Sequence, residues 1–312
     1  MHRPLLSAAC LFALAFASSC GGFPERVTVE VEAPLDLLSV VPPNPSLLVH
    51  IRPDELMASP VLGPIVREFI GAEDLERIEL RFGLRPREVA ELVFAEYEDE
   101  FVVIARATRA VRPIAEAITS RMNTIQLESD EPVFRRGGFV GTQRRELAVI
   151  RENVIAYGTM APPMAGLVAR VRRDLPSVRS SETEWLDSSA PLSFYRMEPL
   201  DFPIDSPVGM VFAQQRRARV TFVESNDSVG LQVAFDGEFP PHADSNLRAL
   251  VAAVAQSDLG RLIGLDQAFP TLVVSQTQGR LTLEADWPAE PLRTGLRRAL
   301  APNMEVLLGE TP

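Results

Sequence analysis

Two histidines are the first candidates for metal chemistry in this chain. His50 and His242 lie far apart in the sequence, and neither has a second histidine four residues away, the helical spacing that zinc-binding motifs use. A zinc site would need both of them together with a carboxylate. His50 alternates with Val49 and Ile51 in a predicted strand, so we expect it on the more exposed face. His242 follows two prolines at the start of a predicted helix, where we expect a surface residue and no metal.

Four acidic residues in close succession could bind a cation such as calcium. They are Glu96, Glu98, Asp99 and Glu100, and calcium prefers oxygen ligands. The same residues lie between two predicted strands, where a solvated hairpin tip explains them better. The 42 acidic residues of the chain also offer many carboxylate pairs for hydrolysis, but spacing alone selects none of them.

Glycines and arginines provide the remaining candidates. Gly137, Gly138 and Gly141 follow Arg135-Arg136, a combination that could form an anion-binding nest, although a glycine turn at the start of a strand is the favoured interpretation. Further arginines occur in pairs, and we expect these to form local ion pairs. The pairs are Arg144-Arg145, Arg172-Arg173, Arg216-Arg217 and Arg297-Arg298.

Known catalytic motifs are absent from the sequence. It contains no G-x-S-x-G, H-E-x-x-H, G-x-G-x-x-G or EF-hand pattern. All 31 basic residues are arginine, which excludes a P-loop lysine, a Schiff-base lysine and a Ser-Lys dyad. We therefore predict no catalytic residue, no metal and no cofactor, and a protein that is not an enzyme.

The N-terminus has the layout of a signal peptide. Arg3 supplies a positive charge, and the apolar run from Leu5 to Ala17 is shorter than the ~20 residues of a membrane-spanning helix. Residues 17–20, Ala-Ser-Ser-Cys, resemble the lipobox of bacterial lipoproteins, whose cysteine is acylated and becomes the mature N-terminus. The resemblance implies a signal peptide over residues 1–19 and lipidation of Cys20. Because Gly21 and not Asp follows the cysteine, it also implies a lipid anchor in the outer membrane of the cell envelope.

One position departs from that resemblance. Lipoboxes usually carry Leu where this chain has Ala17, so cleavage that leaves Cys20 unmodified is the alternative. Cys10 and Cys20 are the two cysteines, and loss of the leader would leave no disulfide chemistry in the folded part.

Net charge limits the possible partners. The formal charge is −11, and removal of the leader would take away Arg3 and no acid. An acidic surface repels nucleic acid and anionic headgroups, so we expect no nucleic-acid partner and membrane contact through acyl chains. The sequence leaves the oligomeric state open.

Hydrophobic periodicity predicts the elements that position these residues. Leu47, Val49 and Ile51 form one face of a strand, and Ser59-Pro60 then caps and begins a helix that ends at Gly71. A second amphipathic helix is predicted from Leu75 to Phe82.

A unit of two strands followed by a helix then recurs four times. The strand pairs are predicted at 92–97 and 101–107, 147–150 and 154–157, 219–224 and 229–235, and 271–276 and 280–287. The inward residues of the following helices are Ile114, Ala117, Ile118 and Met122; Leu167, Val168 and Val171; Leu247, Leu250, Val251 and Val254; and Leu292, Leu296 and Leu300. Two more strands are predicted near Val133 and Phe139.

These units predict an α+β fold of antiparallel sheets with helices packed on one face, in two similar halves. The serine- and proline-rich stretch between the second and third units suggests a boundary. The predicted organisation is an anchor and tether over 20–33, a first domain over 34–180, a linker over 181–208 and a second domain over 209–312.

A further resemblance covers residues 45–90. Pro45 to Ile51, Ala58-Ser59-Pro60 and Gly83 to Pro86 are similar to the opening of certain uncharacterised bacterial envelope proteins, which adds no mechanism. We therefore expect a lipid-anchored envelope protein that binds a protein, peptide or envelope component through an exposed sheet face or edge. The alternatives are a carrier that holds an apolar ligand or lipid between sheet and helices, and a carboxylate-dependent hydrolase.

Overall fold

The alternating apolar residues form the strands of one continuous sheet. The computed structural model describes residues 35–70, 76, 84–120, 122–125, 134–173, 178–197, 207–225 and 227–300. The leader with Cys20, the tether, the predicted helix from Leu75 to Phe82 apart from Glu76, and the predicted strand position Val133 lie outside this part of the chain.

Twelve strands make up the sheet in the described residues, and every neighbouring pair is antiparallel. They are β1 (Leu47–Ile51), β2 (Val89–Tyr97), β3 (Glu100–Ala107), β4 (Asn123–Ile125), β5 (Phe134–Val140), β6 (Gln143–Arg151), β7 (Val154–Thr159), β8 (Leu192–Arg196), β9 (Gln215–Ser225), β10 (Ser228–Gly237), β11 (Val273–Thr277) and β12 (Arg280–Pro288). Their spatial order is β11-β12-β10-β9-β8-β1-β2-β3-β7-β6-β5-β4. The prediction of an α+β fold with an antiparallel sheet is confirmed.

The α-helices connect and cover these strands. They are α1 (Pro53–Ala58), α2 (Leu62–Ile70), α3 (Arg112–Thr119), α4 (Pro162–Val171), α5 (Ser181–Glu184), α6 (Pro207–Phe212), α7 (Ala243–Gln256), α8 (Asp258–Leu262), α9 (Leu265–Ala268) and α10 (Ala289–Leu300). Short 3-10 helices occupy Leu37–Val40, Pro86–Glu88 and Phe269–Thr271.

All four predicted hairpin-helix units are present. They are β2-β3-α3, β6-β7-α4, β9-β10 followed by α7, and β11-β12-α10. Most predicted inward residues are buried or half-buried, but Ala117 faces solvent and its place is taken by Ala115. Val254 is also exposed, while the side chains of Leu296 and Leu300 lie outside the described set.

Some short elements were not anticipated from the sequence. Phe139 lies in β5 as predicted, but its partner strand β4 is only three residues long and has no alternating pattern of its own. Helix α1 follows β1 closely and begins at Pro53, a helix that the hydrophobic periodicity does not predict. Ser59 begins α2 as predicted, because its Oγ accepts hydrogen bonds from the backbone N–H groups of Val61 and Leu62 at 3.2 and 2.7 Å.

The sheet has two faces with different coverings. The first face carries Leu47, Val49 and Ile51, and helices α1, α2 and α3 pack against its β1–β7 side, while α10 packs against α2 and β12. Helices α6 and α7 cover the same face along β9–β12. The second face carries Leu48 and is covered in its β1–β7 half by the 3-10 helix Leu37–Val40 and by α4. Along β9–β12, in contrast, the second face presents polar and largely exposed side chains such as Gln232 and Glu284.

The predicted linker supplies a strand to the middle of this sheet. Strand β8 lies between β1 and β9, so the strands of both predicted domains belong to one hydrogen-bonded sheet. For the segment Leu192–Arg196, the prediction of a linker is therefore wrong. Turn-forming residues on both sides obscured a short strand whose Tyr195 is 1% exposed.

Candidate ligand-binding cleft

His50 lies inside the protein. It is 1% exposed, and its Nε2–H donates to Glu91 Oε1 at 3.2 Å. The prediction that His50 lies on the more exposed face is wrong, because β1 is a central strand whose two faces are both covered, so that all five of its residues are buried. Alternation along one strand reports only that neighbouring residues face opposite sides.

Arg106 completes the environment of Glu91. Arg106 donates from Nε and Nη2 to Glu91 Oε2, both at 3.1 Å, and also donates to the carbonyl of Leu35. Burial acts to raise the pKa of Glu91, but the hydrogen bond from His50 and the charges of His50 and Arg106 outweigh it and lower the pKa. The group is a closed ion network that joins β1, β2 and β3.

This network offers no route for catalysis. Ser193 lies across the strands from His50, which gives the serine, histidine and carboxylate types found in hydrolases. Ser193 is 0% exposed, however, and its Oγ lies 3.4 Å from Thr221 Oγ1. A substrate has no access to a nucleophile in this position, so the cluster stabilises the sheet.

The other predicted site residues lie apart from one another. His242 is exposed at the N-terminus of α7, as expected. Glu98 and Asp99 form the exposed turn between β2 and β3, and no group of three or more histidine, cysteine or acidic residues in the described chain could hold a metal ion. Gly141 takes a positive φ of 61° in the turn after β5, whereas Gly137 and Gly138 lie within that strand.

The paired arginines have several roles. Arg135 donates a hydrogen bond from Nε to Oε1 of the buried Glu146 at 2.6 Å. The guanidinium of Arg135 is therefore engaged in a contact within the sheet. The guanidinium groups of Arg144 and Arg145 lie over the rings of Phe139 and Phe101. Arg216 and Arg217 form the ion pairs predicted for them, with Glu238 at 2.8 Å and with Asp236 at 2.6 Å. The side chains of Arg297 and Arg298 lie outside the described set.

A cleft of about 1080 Å³ opens on the second face. Its walls come from α5, the end of β8, the start of β9, the end of β10 and the hairpin between β11 and β12. It lies where the covering of the second face ends and the open part of the sheet begins.

Asp236 forms the floor of the cleft together with two arginines. It lies directly across from Arg217 on β9 and from Arg280 on β12. Arg217 donates from Nε and Nη2 to Asp236 Oδ2 at 2.9 and 2.6 Å, and Arg280 donates from Nε to Oδ1 at 3.0 Å. Opposite charges on directly opposed strand positions stabilise a sheet, and here they also hold two guanidinium planes in fixed positions.

Trp185, which directly follows α5, packs against this floor. The guanidinium carbons of Arg217, Arg219 and Arg280 lie 4.5, 5.6 and 5.8 Å from the centre of its ring. Arg219 also donates to the Trp185 carbonyl at 2.9 Å. Cation–π contacts of this kind favour arginine, and they fix the aromatic ring beside the charged floor.

Tyr195 closes the inner wall of the cleft. It contacts the Trp185 ring edge-on at 5.7 Å and hydrogen-bonds Arg217. Burial and the charge of Glu182 raise the pKa of Tyr195, which keeps its hydroxyl protonated at neutral pH. The cleft is thus lined mostly by polar and charged groups, with Tyr195 and Phe239 as its two aromatic residues, which suits recognition of a polar ligand.

Two carboxylates of the cleft, Asp236 and Glu238, are poorly suited to the hydrolase alternative. A general acid must carry a proton to give away. Both oxygens of Asp236 already accept hydrogen bonds from guanidinium groups, and Glu238 is paired with Arg216 at the exposed rim.

The sequence analysis missed the cleft. It noted Arg217 only as half of an arginine pair, and it did not single out Asp236, Arg280 or Trp185. The hairpin register would have placed Arg217 opposite Asp236, but the pairing of β10 with β12 joins residues more than 40 positions apart.

Comparisons with known proteins address the fold only. The chain matches no family model and no curated protein sequence. It is similar to crystal form III of TP0453 with a TM-score of 0.53 at 12% identity, covering 86% of this chain and 100% of that one. Crystal form IV of TP0453 gives a TM-score of 0.50 at 9% identity, covering 85% and 98%. At these identities the two proteins share a fold, an antiparallel α+β architecture, and nothing more follows from the likeness.

Within the part of the chain that the structure describes, no helix is both long enough and apolar enough to span a bilayer.

Proposed function

We propose that this protein is a lipid-anchored envelope protein that is not an enzyme and that binds an extended segment of a partner protein or peptide in its cleft. The observation that supports peptide binding is the position of the cleft. The cleft adjoins β11, which is an edge strand of the described sheet. An exposed sheet edge beside a structured cleft is the arrangement that strand-adding peptides use, with backbone hydrogen bonds at the edge and side-chain recognition in the pocket.

Exposure along β11 supports this use of the edge. Val273, Ser275 and Thr277 alternate on the second face and are exposed, and Thr277 lines the cleft. Exposed edge strands tend to pair with other chains unless charge, proline or a covering element blocks them. Strand β11 itself carries neither charge nor proline.

Peptide binding is tested with a library of extended peptides displayed on phage, selected on the protein without its leader. Peptides should be enriched on the wild type and lost on Thr277→Trp, which places an indole in the cleft. Ala253→Trp, on the exposed side of α7, is the matched control and should retain them. Enrichment that is equal on all three proteins, or absent from all, would refute the cleft as the binding site.

The anchor rests on the sequence of residues 1–20 and has its own test. Intact mass of the protein purified from bacterial membranes should show loss of residues 1–19 and addition of acyl chains at Cys20. Cys20→Ser should remain unacylated and leave the membrane fraction. A mature protein with an unmodified thiol at Cys20 would remove the proposed outer-membrane location.

A further inference from the structure

The arginines of the cleft floor indicate which ligand group the cleft takes. We infer that the cleft recognises an acidic peptide, whose carboxylate binds the terminal nitrogens of Arg280. This inference rests on the proposed function and specifies its ligand.

Arg280 has unused hydrogen-bonding capacity. Its hydrogen bond to Asp236 comes from Nε, and among the described residues its two terminal nitrogens have no acceptor. The side chain is about half exposed and lines the cleft. The two terminal nitrogens of a guanidinium form a planar pair that matches the two oxygens of a carboxylate.

The floor also carries an excess of positive charge. Two guanidinium groups share the single carboxylate of Asp236, whose side chain is 17% exposed. At the rim, Arg216 and Glu238 compensate each other and are both about 70% exposed, so solvent screens them. Glu182 is 7% exposed and acts on Tyr97 and Tyr195 at the inner wall. Across the whole lining, Arg216, Arg217 and Arg280 balance Glu182, Asp236 and Glu238, so an anionic group is attracted through direct contact with Arg280 and not by a net positive charge of the cleft.

This local charge contrasts with that of the whole molecule. The chain has a formal net charge of −11, which repels acidic ligands at long range. Binding of an acidic peptide should therefore depend on short-range contacts at the floor. Added salt should weaken it only mildly, because screening also reduces the long-range repulsion.

The arginines are held in position before a ligand arrives. Asp236 orients both guanidinium planes, and the ring of Trp185 packs beside them. Groups that are already ordered lose little conformational entropy when they bind. Trp185 also provides a fluorescent reporter, since a carboxylate that binds Arg280 alters the surroundings of its ring.

The test compares two synthetic peptides of the same extended sequence, one with central glutamates and one with glutamines at those positions. The glutamate peptide should bind more tightly and change the fluorescence of Trp185. Arg280→Ala should weaken it about 10- to 100-fold, as expected for loss of a charge-assisted hydrogen bond, and should leave the glutamine peptide nearly unaffected. Arg261→Ala removes an exposed arginine that pairs with Asp258 on α8, and this control should bind like the wild type.

The outcomes separate the two proposals. If both peptides bind the wild type equally, the acidic specificity is refuted while peptide binding stands. If neither peptide binds, both proposals are refuted. Inorganic phosphate provides a third arm: phosphate that displaces the glutamate peptide at submillimolar concentration would show a general oxyanion site and overturn the assignment to a peptide carboxylate.

Discussion

His50 and Glu91 meet on the buried second face of the sheet, with His50 Nε2 3.2 Å from Glu91 Oε1. The pair joins β1 to β2 at the centre of a twelve-stranded sheet, where Arg106 supplies a further charge to Glu91. Because this pair is buried, we assign His50 a structural role.

Removal of His50 should destabilise the protein strongly. His50→Asn leaves a side chain too short to reach Glu91 and opens a cavity in the core, for which we expect a loss of about 2–3 kcal/mol in the free energy of unfolding. The matched control is His242→Asn, since His242 is exposed and asparagine tolerates its positive φ of 67°. Urea unfolding should show a change within about 0.5 kcal/mol for that control. Equal losses in the two variants would contradict a structural role for His50.

Acid should destabilise the fold through Glu91. The pKa of Glu91 is lowered in the folded protein, so its stabilising contribution is complete above the pKa of an unfolded glutamate, about 4.3. It is lost as the pH falls through the lower folded-state pKa. Unfolding free energies measured between about pH 6 and pH 3 should therefore fall more steeply for the wild type than for Glu91→Gln. Parallel pH profiles would show that this carboxylate is not the titrating group.

The Ser59 cap of α2 should contribute measurably to the stability of the protein. Ser59→Ala removes the acceptor for the N–H groups of Val61 and Leu62, and we expect a loss of about 1 kcal/mol. Ser59→Asp retains an acceptor at the cap and should recover much of that loss. Thermal unfolding of the wild type and the two variants measures their order of stability. An alanine variant as stable as the wild type would rule out the cap as a stabilising contact.

Two glycines should respond oppositely to alanine. At Gly158 on β7, an added methyl group would lie 2.3 Å from the carbonyl oxygen of Phe101, so Gly158→Ala must push β7 away from β3. At Gly166 in α4 the same group would meet only ordinary contacts of 3.7 Å or more. Gly166→Ala should therefore stabilise the protein by up to about 1 kcal/mol through helix propensity, while Gly158→Ala should destabilise it by more than that. Urea unfolding of both variants measures these changes in stability. A Gly158→Ala variant as stable as the wild type would contradict the close approach of the strands.

Alkaline pH should destabilise the protein through Tyr97. Its hydroxyl donates to the carbonyl of Pro42 at 2.7 Å, and burial raises its pKa. The contribution of Tyr97 is complete below the pKa of an unfolded tyrosine, about 10, and is lost as the pH rises above that value. Tyr97→Phe should be less stable at neutral pH by about 1 kcal/mol and should lose stability less steeply above pH 10. Phenolate absorbance that develops for Tyr97 while the protein is still folded would contradict this burial.

The sequence by itself determined the local units of the fold. Alternation and turn residues gave the four hairpins, because pairing within a hairpin depends on residues that are close in the chain. Ser59-Pro60 gave the start of α2 for the same reason: the cap and the N–H groups it binds are within three residues of each other.

Only the tertiary structure decided how those units combine. The burial of His50 depends on helix α4 and the 3-10 helix Leu37–Val40 covering the second face, and alternation along β1 carries no information about that covering. The cleft floor likewise requires β12 to pair with β10, which brings Arg280 to Asp236 over a separation of 44 residues. Contacts between segments so far apart are set by packing of the whole sheet, because no local pattern fixes which hairpin lies beside which.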